Sequence, residues 1–195
     1  MAAVALGDPD VPALEHALGG AGALRDARAE DAIDGVLPRL VVRPSSVAAA
    51  SAVLREAGRQ ELVTVPRGGG TALAWGAPPE RVDVLLDTTG LDRLIEHEAG
   101  DLVVVAQAGL TVAELAERVG AAGQELVLDL PPARVAAGST VGGALSVGHT
   151  GPRRLQRLAL RDRILGATVV LADGTVARSG GKVVKNVAGY DLASS

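Results

Sequence analysis

The 195-residue chain has no cysteine and no phenylalanine, and only one tryptophan and one tyrosine. Without a thiol it forms no disulfide, carries no thiolate nucleophile, and ligates neither a Cys-type zinc ion nor an iron–sulfur cluster of its own. With so few rings it cannot lay out the stacked aromatic platform on which single-stranded nucleic acids rest. Its core has to be built from Val, Leu, Ile and Ala. The three histidines, His16, His97 and His149, are far apart and none stands in a metal-ligand spacing, so no metal site is expected. A net charge of −4 gives no general attraction to phosphate backbones or anionic membranes, and no nucleic-acid partner is expected. No apolar run approaches the roughly 18 residues of a membrane span, and residues 1–12 lack the basic start and long apolar stretch of a secretory signal. The expected protein is soluble and cytoplasmic, with no transmembrane segment.

What is present is 48% hydrophobic and 22% charged, a globular rather than a disordered composition. There is no internal repeat. Residues 1–34 show weak helical periodicity through Leu14, Leu18 and Leu24 and read as a leader or peripheral helix without a strand. From Leu40 the pattern sharpens. Leu40 to Val42 is a short β run, Ser46 caps a helix whose apolar face is Val47, Ala50, Val53, Leu54 and Ala57, and Gly58 stops it. Leu62 to Val65 is a strand that runs into glycines, and Val82 to Leu86 and Leu102 to Ala106 are further strands, with a polar stretch from Asp92 to Glu98 between them. Thr111 and Glu114 form a capping box, Glu125 to Leu130 reads as a strand closed by Pro131-Pro132, and Asp173-Gly174 turns a hairpin between residues 164–171 and 175–177. The fold class is α+β, in two parts of about 35–132 and 133–195.

Two glycine segments could carry chemistry. In Pro66-Arg67-Gly68-Gly69-Gly70-Thr71-Ala72, consecutive glycines allow positive φ and let backbone amides approach a ligand, while Arg67 and Thr71 add charge and a hydroxyl. Read alone, the same segment also fits an ordinary turn. It is not a P-loop, since no Gly-Lys-Ser/Thr follows, and the chain has no G-x-G-x-x-G. The second segment, Gly138-Ser139-Thr140-Val141-Gly142-Gly143, leads into a helix start and fits either a ligand backbone or close helix packing. Together, about seventy residues apart, the two suggest an extended diphosphate ligand. The arginines 153, 154, 157, 161 and 163 read as a solvated face or as a partner-facing patch, Trp75 as a packing residue, and His97 as a surface residue.

In their order, R-G-G-G-T, G-S-T-V-G-G, R-D-R-I-L-G-A-T-V-V-L-A-D-G-T-V and G-G-K-V-V-K-N-V-A-G-Y-D-L resemble the FAD-binding domain of the vanillyl-alcohol oxidase/p-cresol methylhydroxylase (PCMH-type) superfamily. More narrowly, G-H-T-G-P-R-R at 148–154 and K-N-V-A-G-Y-D at 185–191 make the chain similar to the FAD-binding subunit of bacterial glycolate oxidase. D-lactate and 2-hydroxyglutarate dehydrogenase relatives usually carry Asn at the position of Gly148. The resemblance implies a PCMH-type domain of two α/β subdomains with FAD between them. Residues Pro66 to Ala72 would hold the pyrophosphate, and Gly138, Ser139, Thr140, Gly142 and Gly143 would line the flavin and its ribityl chain. Asp129, His149, Thr150, Gly151, Lys185, Asn186 and Tyr190 would lie nearby. Relatives with covalent flavin often carry His where this chain has Thr71, and bicovalent ones add a Cys, so the FAD is expected to be non-covalent.

The implied activity is oxidation of a small 2-hydroxy acid, glycolate favoured, by hydride transfer to the flavin. The implied partners are a second flavoprotein subunit and an iron–sulfur subunit, which would allow peripheral placement at the inner membrane. The family pattern continues beyond Ser195 with G-S-x-G-T-L-G, a strand and a substrate-binding cap. The expected domain is therefore C-terminally truncated, and no catalytic residue is assigned. The alternatives are an inactive FAD-binding or assembly module and a general nucleotide-diphosphate binder.

Overall fold

The computed structural model describes residues 7–148, 151–152 and 160–181. These fall into two compact units that interleave along the chain. One takes residues 7–66, 73–90 and 170–175, and the other 67–72, 91–169 and 176–181. The expected boundary near residue 133 differs from this division, because the glycine segment 67–72 makes its contacts with residues 138–140 and counts with them although it is continuous with the strand before it.

The first unit begins with α1 (Val11–Leu18), capped by Asp10, whose carboxylate accepts from the Ala13 amide at 3.1 Å, and closed by Gly19 at φ +56°. Then come β1 (Gly22–Asp26), β2 (Leu40–Pro44), α2 (Val47–Arg59), β3 (Thr64–Arg67) and β4 (Val84–Asp87), with sheet order β1-β2-β4-β3. β1 runs antiparallel to β2, and β2 runs parallel to β4. Ser46 caps α2 as its sequence indicates, though the helix runs past Gly58 to Arg59. Side chains of β2 and β4 alternate between two apolar clusters. Leu40, Val42, Val84 and Leu86 join Leu14, Leu18, Ala49 and Val53, while Val41 and Leu85 join Ile33 and Val82. Both faces of these strands are buried, which explains their continuous apolar runs. Two carboxylates are buried with them. Asp31 takes Arg25 in a bidentate pair at 2.6 and 3.0 Å, and Asp83 accepts from the Val63 amide at 2.8 Å and pairs with Arg81 at 2.9 Å.

Residues 1–34 are thus no strandless peripheral leader. Leu14 is fully buried in the core, and β1 pairs along its length with β2. The strand escapes a reading of Gly-Ala-Leu-Arg-Asp because only Leu24 of the five faces the core; its partner supplies the pairing. Two Asp-Gly turns lie in this unit. Asp34-Gly35 closes an exposed turn between Ile33 and Val36, and Asp173-Gly174 sits against α2, where the Ser51 hydroxyl donates to the Gly174 carbonyl at 2.5 Å.

The second unit holds β5 (Leu94–Glu98), β6 (Val103–Ala106), α3 (Val112–Gly120), α4 (Pro132–Ala136), α5 (Val141–Val147), β7 (Gly166–Val170, its last residue counted with the first unit) and β8 (Val176–Gly180). β5 and β6 form one antiparallel ribbon and β7 and β8 another two-stranded sheet. Leu110, Leu115 and Val119 make one cluster, and Val112, Leu130 and Ala144 a second.

The polar stretch before β6 contains the strand β5, since ladder bonds to Val103–Ala106 satisfy a backbone whose last three side chains, Glu96, His97 and Glu98, are polar. Glu125 to Leu130 forms no ladder. Leu126, Leu128 and Leu130 still turn into the two clusters, so the alternation seen in the sequence is burial without pairing. Pro131-Pro132 opens α4, where a missing N–H costs nothing. Thr111 does cap α3 through the Glu114 amide at 3.2 Å, but the Glu114 carboxylate turns to Arg118 at 2.5 Å instead of completing the box. Among the described residues no helix is long and apolar enough to cross a membrane.

Leu14→Ala is expected to destabilise the chain by about 2–5 kcal/mol in urea unfolding, as a core truncation does; a loss under about 0.5 kcal/mol would return α1 to the periphery. Arg59, and then Gln60, draw the Glu56 carboxyl from its ordinary 4.5 down to about 2. Its contribution to stability is full above pH 4.5 and lost as pH falls toward about 2. Glu56→Gln should therefore lower the urea midpoint above pH 4.5 and flatten its decline between 4.5 and about 2.

Candidate functional site

β3 delivers Arg67 into the segment 68–72, and the glycines there are required for reasons the structure makes explicit. A Cβ on Gly68 would overlap the Thr140 hydroxyl and lie 3.3 Å from Thr140 Cβ. One on Gly69 would overlap the Gly138 carbonyl oxygen and lie 2.7 Å from its carbon. Gly70 has φ +71°, which strains any residue with a side chain. The direction that a side chain would take from Gly68 and from Gly69 is therefore filled by the second glycine segment.

That second segment is locked from behind. The Gly138 and Ser139 amides donate to the carbonyls of Val135 and Arg134 at 3.0 and 3.1 Å. Ser139 O accepts from Val112 at 2.8 Å, the Val141 amide donates to Leu110 at 2.8 Å, and that of Gly142 donates to Ala108 at 2.7 Å. A Cβ on Gly142 would lie 2.6 Å from Ala108 Cβ, so this glycine serves close packing. Thr140 caps α5, its hydroxyl accepting from the Gly143 amide at 3.2 Å. Ser139 and Thr140 are 2% and 1% exposed.

The two segments also meet through side chains, with Thr71 Oγ1 2.8 Å from Ser139 Oγ and Arg134 Nη2 3.5 Å from Thr71 Oγ1. Their amides differ in use. Those of residues 138–139 and 141–143 are spent inside the protein, whereas the N–H groups of Gly68, Gly69, Gly70, Thr71 and Ala72 donate to no other described residue. Five unspent donors in succession, next to Arg67 and a threonine hydroxyl, form a donor set suited to the oxygens of a diphosphate.

Of the other expected residues, Asp129 and Gly151 are neighbours, since a Cβ on Gly151 would lie 2.5 Å from Asp129 Cγ. Pro66 counts with the first unit. His149, Thr150, Lys185, Asn186 and Tyr190 lie outside the described residues, as do arginines 153, 154 and 157. Trp75, expected in packing, is 59% exposed on a short 3-10 turn. His97 is half-buried and bonds Gln124 Oε1 at 2.8 Å instead of standing free in a charged stretch. Arg134 and Ala108 were missed. Only the position of Arg134, between a proline pair and a glycine segment, marks it in the sequence.

A family model described as "FAD binding domain" matches residues 38–180. The chain is 35% identical over 78% of its length to D-lactate dehydrogenase from Archaeoglobus fulgidus, covering 33% of that protein. It is 31% identical over 80% of its length to glycolate oxidase subunit GlcD from Bacillus subtilis, covering 33% of it. To a probable mitochondrial D-2-hydroxyglutarate dehydrogenase from Oryza sativa subsp. indica it is 33% identical over 79%, covering 27%. The chain thus spans about a third of the length of the curated relatives it matches. Among solved structures, berberine bridge enzyme from Eschscholzia californica superimposes with a TM-score of 0.70 at 16% identity, over 85% of this chain and 36% of that one, a likeness of fold alone.

The geometry makes two glycines unequal. Gly69→Ala has to push residues 68–70 off the Gly138 carbonyl and should destabilise the chain by about 1–3 kcal/mol. Gly76→Ala, with open space around it, should stay within about 0.5 kcal/mol in the same urea titration. Equal effects would refute the close approach.

Proposed function

Because the chain belongs to the family of FAD-binding domains matched over residues 38–180, we propose that it holds the FAD of an oxidoreductase acting on a small 2-hydroxy acid, with residues 67–72 taking the diphosphate. The observation that carries this reading is the row of five unspent amides from Gly68 to Ala72. Backbone donors fixed in place by the second segment need little reordering when an anion arrives, and Arg67 adds a full charge beside them.

Ser139 and Thr140 act in this reading as the wall that sets the first segment, and Asp129 with Gly151 stands as a further part of the cofactor site. Thr71 stands where the resemblance puts the histidine of covalent relatives, and the chain has no cysteine, so the proposed attachment of the cofactor is non-covalent. When bound, FAD supplies the acceptor for the hydride leaving the substrate α-carbon. The relatives are named for D-lactate, glycolate and D-2-hydroxyglutarate. Glycolate is favoured by the stretches 148–154 and 185–191, and the other two acids are the competitors to test. A second flavoprotein subunit and an iron–sulfur subunit, which the family resemblance implies, are the proposed partners, and this cysteine-free chain is not itself the iron–sulfur component.

The test is the visible absorbance of the chain after incubation with excess FAD and desalting. A flavin band is expected in the wild type and its loss in Gly69→Val. A folded wild-type chain with no band, or a variant that keeps full occupancy, would refute the assignment of residues 67–72.

A further inference from the structure

We propose that Ser139 is a positioning residue that turns the Thr71 hydroxyl into a directed donor toward a phosphate oxygen of the bound ligand. The inference rests on the FAD reading for the ligand and on proton counting for the direction.

A hydroxyl has one proton to give and room to accept two. Ser139 is 2% exposed, and among the described residues its Oγ has one partner, Thr71 Oγ1 at 2.8 Å. If Thr71 donated to Ser139, the Ser139 proton would be buried with nothing to receive it, and the full desolvation cost of an unpaired donor would fall on the folded state. The bond therefore runs from Ser139 to Thr71. Arg134, whose Nη2 lies 3.5 Å from the same Thr71 oxygen, has only protons to offer. With donors on both sides, Thr71 keeps a proton that neither neighbour accepts. That proton belongs to an acceptor outside the protein, and the five unspent amides beside it select an anionic oxygen.

Thr71 is half-buried, so water receives this proton when no ligand is present, and the arrangement costs the free protein nothing. Polarisation by two donors strengthens the bond that the hydroxyl makes in turn. The effect of Ser139 on binding then passes entirely through Thr71.

The experiment is a double-mutant cycle on the 195-residue chain, titrated with FAD and in parallel with inorganic pyrophosphate. Thr71→Val should weaken binding about 10- to 100-fold, the range for a hydrogen bond to a charged group. Thr71→Ser, which keeps the hydroxyl, should stay within about threefold, and Ser139→Ala should lose about tenfold in the wild-type background but less than about twofold in Thr71→Val. Losses that multiply in the double variant, or an unchanged affinity in Thr71→Val, would overturn the proposal. Should Ser139→Ala fail to fold by circular dichroism, Ser139→Cys, a weak donor, takes its place with the same expected result. If the wild type binds pyrophosphate but not FAD, the cofactor reading falls, and the pyrophosphate cycle decides the proposal by the same criteria. If it binds neither, both fall.

Discussion

The close approach of two backbones, Gly69 on the Gly138 carbonyl with Gly68 against Thr140, is the constraint on which the rest of the site depends. It admits no β-carbon at either glycine, and it can be traced inward to the core. Leu115 and Val119 anchor α3, the start of α3 bridges to Thr140 through Thr111, and Val112 and Leu110 hold residues 139 and 141 by backbone bonds. Residues 138–140 then form the surface against which 68 and 69 close. The placement of the unspent amides is thus set by apolar packing several residues away. A change in the α3 cluster reaches the donor row without touching it.

The two glycine segments look alike in sequence and do different work. In the second, the amides of residues 138, 139 and 141–143 are taken up by the protein, and the glycine at 142 lets helix α5 approach Ala108. In the first, the amides are left over. Exposure runs the same way: Ser139 and Thr140 are buried, and a buried N–H such as that of Ser139 finds its partner inside the protein, whereas residues 68–72 lie at least partly at the surface, where water can satisfy their amides. An anion displaces that water at small cost.

Much of this could be read from the residues. The apolar runs at Leu40 to Val42 and Val82 to Leu86, the cap at Ser46 and the hairpin at Asp173-Gly174 are local signals, and the structure keeps them. The pairing of the two glycine segments was legible only as a coincidence of composition; the contact itself is a tertiary fact. What the sequence hid were elements stabilised by their partners. β1 and β5 have little apolar alternation of their own and exist because β2 and β6 offer ladders. The stretch from Glu125 to Leu130 shows the converse, with strand-like side chains and no ladder. Trp75 is exposed because the core, built of aliphatic side chains, closes without it.

The two Asp-Gly turns of the first unit carry the same dipeptide into different chemical futures. Such pairs age by attack of the glycine nitrogen on the aspartate side chain, a ring closure that needs the nitrogen free and the carboxyl protonated. At Asp173-Gly174 the nitrogen is engaged with Leu171 O at 2.9 Å, and bonds from the Thr175 backbone and hydroxyl hold the carboxyl ionised below its usual range. At Asp34-Gly35 the loop is exposed, and the Gly35 nitrogen donates to no described residue. Isoaspartate should therefore accumulate in stored protein at residue 34 well before residue 173.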